Sequence, residues 1–146
     1  MTRGFYVIVF ALIPAILASI PNVDRKVGSK HKDYSTCLTE TDTTENDIYT
    51  IGDIINDRYN QSENQEKVRK NGCLIHCLLK KENVIEESEF NIEKMHTEFT
   101  KKTNAQPGDN AYKALDDCIE KVKDITDKCE KSLALVACYI KAETRL

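Results

Sequence analysis

The chain has 146 residues, a formal net charge of −3 and 31% charged residues of both signs. This length suits a single domain that buries roughly two thirds of the surface its unfolded chain exposes. A mildly acidic chain without a basic stripe argues against nucleic acid as a partner.

The N-terminal segment, residues 1–18, is typical of a secretory signal peptide. Arg3 precedes an uncharged apolar run that ends at Ala18. The run contains Pro14 and is shorter than the roughly 20 residues that a transmembrane helix needs. We therefore expect a secreted, extracellular protein whose single domain spans residues 19–146 and which does not insert stably into a membrane.

The spacing of apolar residues predicts an all-α fold of about six helices. Tyr112, Leu115, Ile119 and Val122 recur at the three-and-four spacing of an amphipathic helix. The predicted helices span residues 23–39, 45–57, 65–82, 89–101, 109–123 and 127–143.

Two of these helices have start signals in the sequence. Thr44 is followed three residues later by Asp47, and this pair resembles a capping box. Asp109 follows the chain-breaking pair Pro107-Gly108 and is placed to act as an N-cap.

Asn60 begins the tripeptide Asn60-Gln61-Ser62 in a polar stretch between two predicted helices. In a secreted protein this pattern is a candidate N-glycosylation site. The alternative is an unmodified polar loop.

The cysteines predict three disulfides, because a secreted chain oxidises its thiols. Six cysteines allow 15 pairings. Cys73 and Cys77 lie one turn apart in one helix, where a bridge between them would strain the backbone. Cys129 and Cys138 lie roughly 13 Å apart along another helix and cannot meet either. Ten pairings remain. The full set of cysteines is Cys37, Cys73, Cys77, Cys118, Cys129 and Cys138.

Cys73, His76 and Cys77 also have to be considered as metal ligands, since thiolates and imidazole suit zinc. Structural zinc sites pair their cysteines on turns, and oxidised cysteines are not available to a metal. We therefore expect no metal and no cofactor. His76 is expected to be a partly exposed helix residue.

The cysteine intervals resemble those of the insect odorant-binding protein family (PBP/GOBP). Three residues separate Cys73 from Cys77 and eight separate Cys129 from Cys138, and these two intervals are diagnostic. Within the family, the runs over residues 70–73, 77–79, 105–109 and 127–138 resemble pheromone-binding proteins of ants. The resemblance implies the interlocked pairs Cys37–Cys77, Cys73–Cys129 and Cys118–Cys138.

The same resemblance implies a function. It predicts a carrier that binds a small hydrophobic pheromone or odorant in an internal cavity and transports it through aqueous lymph or haemolymph. The expected roles are in olfaction, chemical communication and social behaviour. The implied partners are the ligand, a second copy of the chain in a homodimer, and a chemoreceptor downstream.

Helices held together covalently tolerate a hollow interior, which suits a ligand cavity lined by aliphatic and aromatic side chains. Met95 and Phe99 are favoured because a thioether adapts to varied shapes and a ring offers a large contact face. The hydroxyl of Tyr112 or Tyr139 is a candidate for fixing the polar end of a ligand. For each residue, ordinary core packing is the alternative. The candidate lining residues are Ile51, Ile55, Leu74, Leu78, Met95, Phe99, Tyr112, Leu115, Ile119, Leu133, Val136 and Ile140.

The resemblance also implies that ligand is often released in acid, and a histidine-based release switch is one hypothesis for this chain. His96 is next to Met95 in the sequence, and protonation of a buried histidine would disfavour the buried state. The alternative is that His31, His76 and His96 are all solvated.

Three other functional classes compete with the carrier: an enzyme, an interfacial lipid binder and a structural protein. An enzyme is not expected and no catalytic residues are predicted, because the sequence has no serine nucleophile motif and no free cysteine. In secreted phospholipases an aspartate follows the catalytic histidine, whereas here Cys77 follows His76. A saposin-like interfacial lipid binder has other cysteine intervals, and a structural secreted protein would have a filled core.

Overall fold

The computed structural model describes residues 28–60, 62–87 and 89–145. In this part of the chain six α-helices are joined by 3₁₀ turns and one two-stranded hairpin, so the predicted all-α class is confirmed. The predicted signal peptide lies outside the described residues. The helices are α1 (Gly28–Glu40), α2 (Ile51–Ile55), α3 (Gln65–Lys81), α4 (Ile92–Thr103), α5 (Asn110–Val122) and α6 (Lys128–Glu143). The strands are β1 (Ile85–Glu86) and β2 (Glu89–Phe90).

The helix predicted over residues 45–57 is divided in two. Thr44 and Asp47 form the capping box, but it opens a single 3₁₀ turn. Thr50 and Asp53 form a second capping box, which starts α2. Because an N-cap residue adopts extended backbone, Thr50 interrupts the helix that the apolar spacing predicts.

The helix predicted over residues 89–101 begins later than expected. Glu89 and Phe90 pair with β1 instead, in antiparallel register. The Asn91 side chain then accepts a hydrogen bond from the amide of Lys94 at 3.0 Å and caps α4. An asparagine at an N-cap satisfies one of the amides that a helix start leaves without a partner.

α6 is the central helix of the fold. It packs mainly against α3, and also against α5 and α2. Residues spread around the helix, including Leu135, Val136 and Tyr139, are at most 2% exposed. A helix that is buried on most sides organises the elements around it.

α3 and α6 approach each other closely at Gly72. A Cβ atom placed on Gly72 would lie 2.4 Å from the carbonyl oxygen of Cys129, well inside any real contact. Glycine is therefore required at this position by the backbone of the other helix. The neighbouring Cys73 forms a disulfide with Cys129, with Cα atoms 4.3 Å apart.

Two more disulfides attach the outer helices to this pair. Cys37 of α1 bonds to Cys77 of α3, and Cys118 of α5 bonds to Cys138 of α6. The Cα atoms are 5.7 Å apart in each bond, within the normal range. The three pairs are those that the family resemblance implies.

Asn71 connects α3 to the segment before α2. Its Nδ2 atom donates to the carbonyl oxygens of Asp47 at 2.7 Å and Lys67 at 2.8 Å, and its Oδ1 atom accepts from the amide of Tyr49 at 3.0 Å. Asn71 is only 4% exposed, and hydrogen bonds that use both ends of its amide compensate its burial. This contact fixes the chain that leads into α2.

Lys131 holds the hairpin against α6. Its Nζ atom donates to the carbonyl oxygen of Lys123 at 3.2 Å and to a carboxylate oxygen of Glu89 at 3.4 Å. The ammonium also lies 5.1 Å from the centre of the Phe90 ring. A lysine that is 3% exposed thus has a carbonyl, a carboxylate and a ring face around its charge.

The contact at Gly72 leads to a prediction with a matched control. Gly72→Ala should lower the free energy of unfolding by about 2 kcal/mol or more, because overpacking against a fixed backbone forces the helices apart. Gly52→Ala in α2 should leave it unchanged or raise it by up to about 1 kcal/mol, since the nearest atom to that Cβ is 3.7 Å away. Chemical denaturation measures both changes. Equal effects of the two substitutions would contradict the assignment of the close contact.

Candidate ligand-binding cleft

A cleft of about 660 Å³ lies between the first turns of α3 and one side of α6. Its volume is in the range of small-molecule binding sites. The lining residues are Tyr59, Asn60, Gln65, Val68, Arg69, Asp127, Cys129, Glu130, Leu133, Ala134, Cys138 and Lys141.

The floor of the cleft is apolar. Val68 comes from α3, while Leu133 and Ala134 come from α6. Cys129 and Cys138, which belong to two different disulfides, also line the cleft. Ala134 and Cys138 lie one turn apart on the same side of α6, and Leu133 lies one turn after Cys129. A ligand on this floor would therefore contact apolar side chains of two helices that a disulfide holds together.

At one end of the cleft Arg69 faces Asp127, with 3.5 Å between the guanidinium nitrogen and the carboxylate oxygen. The Asp127 carboxylate also caps α6 by accepting from the amide of Glu130 at 2.8 Å. That amide hydrogen bond, with the charge of Arg69 in addition, holds the pKa of Asp127 below its ordinary value. Both side chains of the ion pair are largely exposed, so the pair is a weak contact that a ligand can replace.

At the other end Lys141 ties α6 to the turn that precedes α3. Its ammonium forms an ion pair with Asp57 and donates to the hydroxyl of Tyr59 at 3.2 Å. The hydrogen bond to Asp57 raises the pKa of Lys141 above its ordinary value. The Tyr59 ring packs edge-on against Tyr49, with ring centres 6.5 Å apart. This end of the cleft is therefore held by contacts from three parts of the chain.

Of the twelve residues predicted to line a cavity, Leu133 lines this cleft. Met95 and Phe99 line a separate pocket of about 10 Å³, which is the size of one water molecule. The others contribute to the core or to its edge, and a ligand-binding role for them stays a prediction. Leu74, Leu78, Leu115, Val136 and Ile140 are buried, and Ile51, Tyr112 and Ile119 are half-buried.

Ile55 differs from the prediction. It was expected to face inward, but it is 38% exposed. α2 ends at this residue, so no further turn of helix follows to continue the apolar face on which Ile55 was expected to lie.

The favoured aromatic residues form one cluster in the core. The Phe99 ring packs edge-on against Tyr112 and Tyr139, with ring centres 6.0 and 5.8 Å apart. The Tyr139 hydroxyl donates to a carboxylate oxygen of Glu143 at 3.1 Å, and burial raises the pKa of Tyr139 strongly. Of the two hydroxyls that are candidates for fixing a ligand, that of Tyr139 is thus engaged within α6 itself.

The histidines differ from one another. His76 is 7% exposed, so the expectation that it is partly exposed is wrong. It lies where α3 packs against the start of α6, within reach of the charges of Lys128 and Asp127. Its Nδ1 atom is buried without a hydrogen-bond partner among the described residues. His96 is half-buried, bonds to a carboxylate oxygen of Asp116 and stacks on Tyr112, with ring centres 4.6 Å apart. The side chain of His31 lies outside the described part.

Sequence reasoning missed most of the cleft, although one signal was available. Gln65 and Val68 lie one to two turns before Cys73 on α3, and Leu133 lies one turn after Cys129 on α6. The implied bond between Cys73 and Cys129 indicated that turns of these two helices lie near each other. It did not indicate how closely the helices approach, on which the cleft depends.

A metal site and a membrane-spanning helix are two further possibilities in the described residues. Cys37, Glu40 and Cys77 cluster closely enough to suggest a metal, but the two sulfur atoms are bonded to each other and are not thiolates. Within residues 28–60, 62–87 and 89–145, none of the helices has the length and apolar character to span a membrane.

Residues 23–142 match the PBP/GOBP family, and the chain belongs to this family of pheromone-binding and odorant-binding proteins. The family predicted from the cysteine intervals is confirmed. The chain is 43% identical over 145 residues to "Pheromone-binding protein Gp-9" of Solenopsis globularia littoralis, covering 99% of this chain and 92% of that protein. It is 40% identical over 145 residues to the proteins of the same name from Solenopsis invicta and Solenopsis quinquecuspis, covering 99% of this chain and 94% of each relative. The similarity to this ant pheromone-binding protein confirms the prediction from the local runs. No solved structure matches the chain.

The burial of His76 predicts a pH dependence of stability. Burial lowers the pKa of His76, and the charges of Lys128 and Lys80 lower it further, while Asp127 opposes them. The unfolded chain takes up a proton near pH 6.5, whereas the folded protein resists it. The free energy of unfolding should therefore fall as the pH is lowered from about 7 to 5.

Denaturation of His76→Gln over this range should give a flatter pH profile than that of the wild type. His96→Gln is the control, and its free energy of unfolding should still fall as the pH is lowered from about 7 to 5. Burial raises the pKa of Glu143, and this makes the free energy of unfolding rise as the pH is lowered. Because Glu143 is present in the wild type and in both variants, it does not affect the comparison. A profile for His76→Gln that parallels the wild type would refute this role of His76.

Proposed function

We propose that this protein is a secreted carrier that binds a small hydrophobic pheromone or odorant and transports it through aqueous lymph or haemolymph. The central observation is the apolar floor of the cleft, which two helices joined by Cys73–Cys129 hold open. Membership of a family of pheromone-binding and odorant-binding proteins supports the same role. The relatives named as pheromone-binding proteins come from ants, which favours a role in chemical communication and social behaviour.

The chemistry of the cleft fits a carrier. An apolar ligand gains about 25 cal/mol for each Å² of surface that it removes from water, and the floor supplies the contacts. The rim adds polar groups, among them Arg69 and Lys141, that orient a polar end of the ligand without surrounding it. Because the Arg69 side chain is exposed at the rim, the ligand can leave again, as a transport protein requires. The homodimer and the chemoreceptor stay predictions.

Binding through this floor can be tested by filling it. Ala134→Phe should raise the dissociation constant for 1-aminoanthracene at least tenfold, which corresponds to about 1.4 kcal/mol, because the ring occupies the floor. Ala114→Phe is the matched control: Ala114 is also a half-buried helical alanine packed on the core but does not line the cleft. Its dissociation constant should stay within twofold of the wild type. Fluorescence titration measures both, and thermal unfolding checks that each variant is folded.

Probe binding that is unchanged in Ala134→Phe would show that the cleft is not the binding site. If Ala134→Phe and Ala114→Phe lost saturable probe binding to the same extent, the binding site would lie in the core instead.

A membrane-surface role gives a different result with lipid vesicles. In the described part of the chain the large apolar residues that are exposed are Ile55, at 38%, and Ile92, at 40%. They lie on the separate helices α2 and α4, whereas an interfacial protein presents a continuous apolar face. After centrifugation with phosphatidylserine vesicles the protein should stay in the supernatant. Co-sedimentation with the vesicles would favour the interfacial alternative over a soluble carrier.

A further inference from the structure

The candidate glycosylation residue and the cleft coincide. Asn60 is exposed and is one of the residues that line the cleft. It begins Asn60-Gln61-Ser62, which is the one Asn-X-Ser/Thr triplet of the 146-residue sequence. The sequence gives no reason for a glycosylation triplet to lie at a binding site, and the structure places it there.

The position of Asn60 at the rim is fixed by its neighbours. Its amide donates to the carbonyl oxygen of Asp57 at 3.1 Å, which closes the turn. Lys141 of α6 contacts Asp57, where that turn begins, and Tyr59 within it. The Lys141 ammonium also lies 5.2 Å from the centre of the Tyr59 ring. Because Asn60 itself lines the cleft, a group attached to its side chain would stand at the edge of the cleft, near α6.

We propose that Asn60 carries an N-linked glycan that partly covers the mouth of the cleft and slows the entry and exit of ligand. The Nδ2 atom of Asn60 loses one proton and bonds to C1 of the first sugar, which is supplied by a lipid diphosphate-linked oligosaccharide. The lipid diphosphate leaves with the electrons of the broken C1–O bond. This inference rests on the proposed carrier function and on the predicted passage through the secretory pathway.

The effect should be kinetic. A glycan is bulky and hydrophilic, so it competes poorly for the apolar floor formed by Val68, Leu133 and Ala134. A glycan that favours neither the ligand-free nor the ligand-bound protein cannot shift the binding equilibrium between them. It obstructs the path in both directions, so association and dissociation slow together. The dissociation constant stays nearly unchanged.

The test uses the full chain secreted from insect cells. Ser62→Ala destroys the triplet but keeps Asn60, whereas Ser62→Thr keeps the triplet and is the matched control. Intact-mass spectrometry before and after peptide N-glycosidase treatment reports the glycan. Stopped-flow fluorescence with 1-aminoanthracene reports both rate constants.

Wild type and Ser62→Thr should carry a glycan that Ser62→Ala lacks. Both rate constants should be at least threefold lower in the two glycosylated proteins, with dissociation constants within twofold of Ser62→Ala. Absence of the glycan, equal rate constants with and without it, or loss of affinity on glycosylation would each overturn the proposal. If Ser62→Ala binds no probe, the carrier function fails and the kinetic effect fails with it, while the mass spectrum still reports the glycan separately.

Discussion

The close contact between α3 and α6 determines the arrangement of the rest of the molecule. Gly72 lets the backbone of one helix reach the carbonyl of Cys129 on the other, and the Cys73–Cys129 bond fixes that approach. The cleft extends from this point toward the start of α3 and along the later turns of α6. Its floor is therefore formed by helices that a disulfide prevents from separating, so the apolar surface can persist without a side chain to fill it.

Two polar contacts position the rim of the cleft. Asn71, next to Gly72, ties the chain before α2 to α3, and Lys141 ties the turn after α2 to α6. Tyr59 and Asn60 follow Asp57 directly and form one end of the cleft. Asn71, which is buried and does not line the cleft, therefore contributes to the position of the rim through the chain that leads into α2.

The sequence was a good guide to what depends on local signals. The amphipathic spacing and the caps predicted six helices, and the cysteine intervals predicted the family. The break before α2 could not be predicted from apolar spacing, because the second capping box at Thr50 competes with helix continuation. The cleft was missed because it depends on how closely α3 and α6 approach, and that is decided by the missing side chain of Gly72. The burial of His76 arises from the same tertiary contact rather than from its own helix.

The central claim is that ligand binds on the floor between α3 and α6. Solution NMR of the protein bound to 1-aminoanthracene, with labelled methyl groups, tests this claim directly. The account predicts nuclear Overhauser contacts from the probe to the methyl groups of Val68, Leu133 and Ala134. Contacts confined to Met95 and Leu115, in the core, would contradict it.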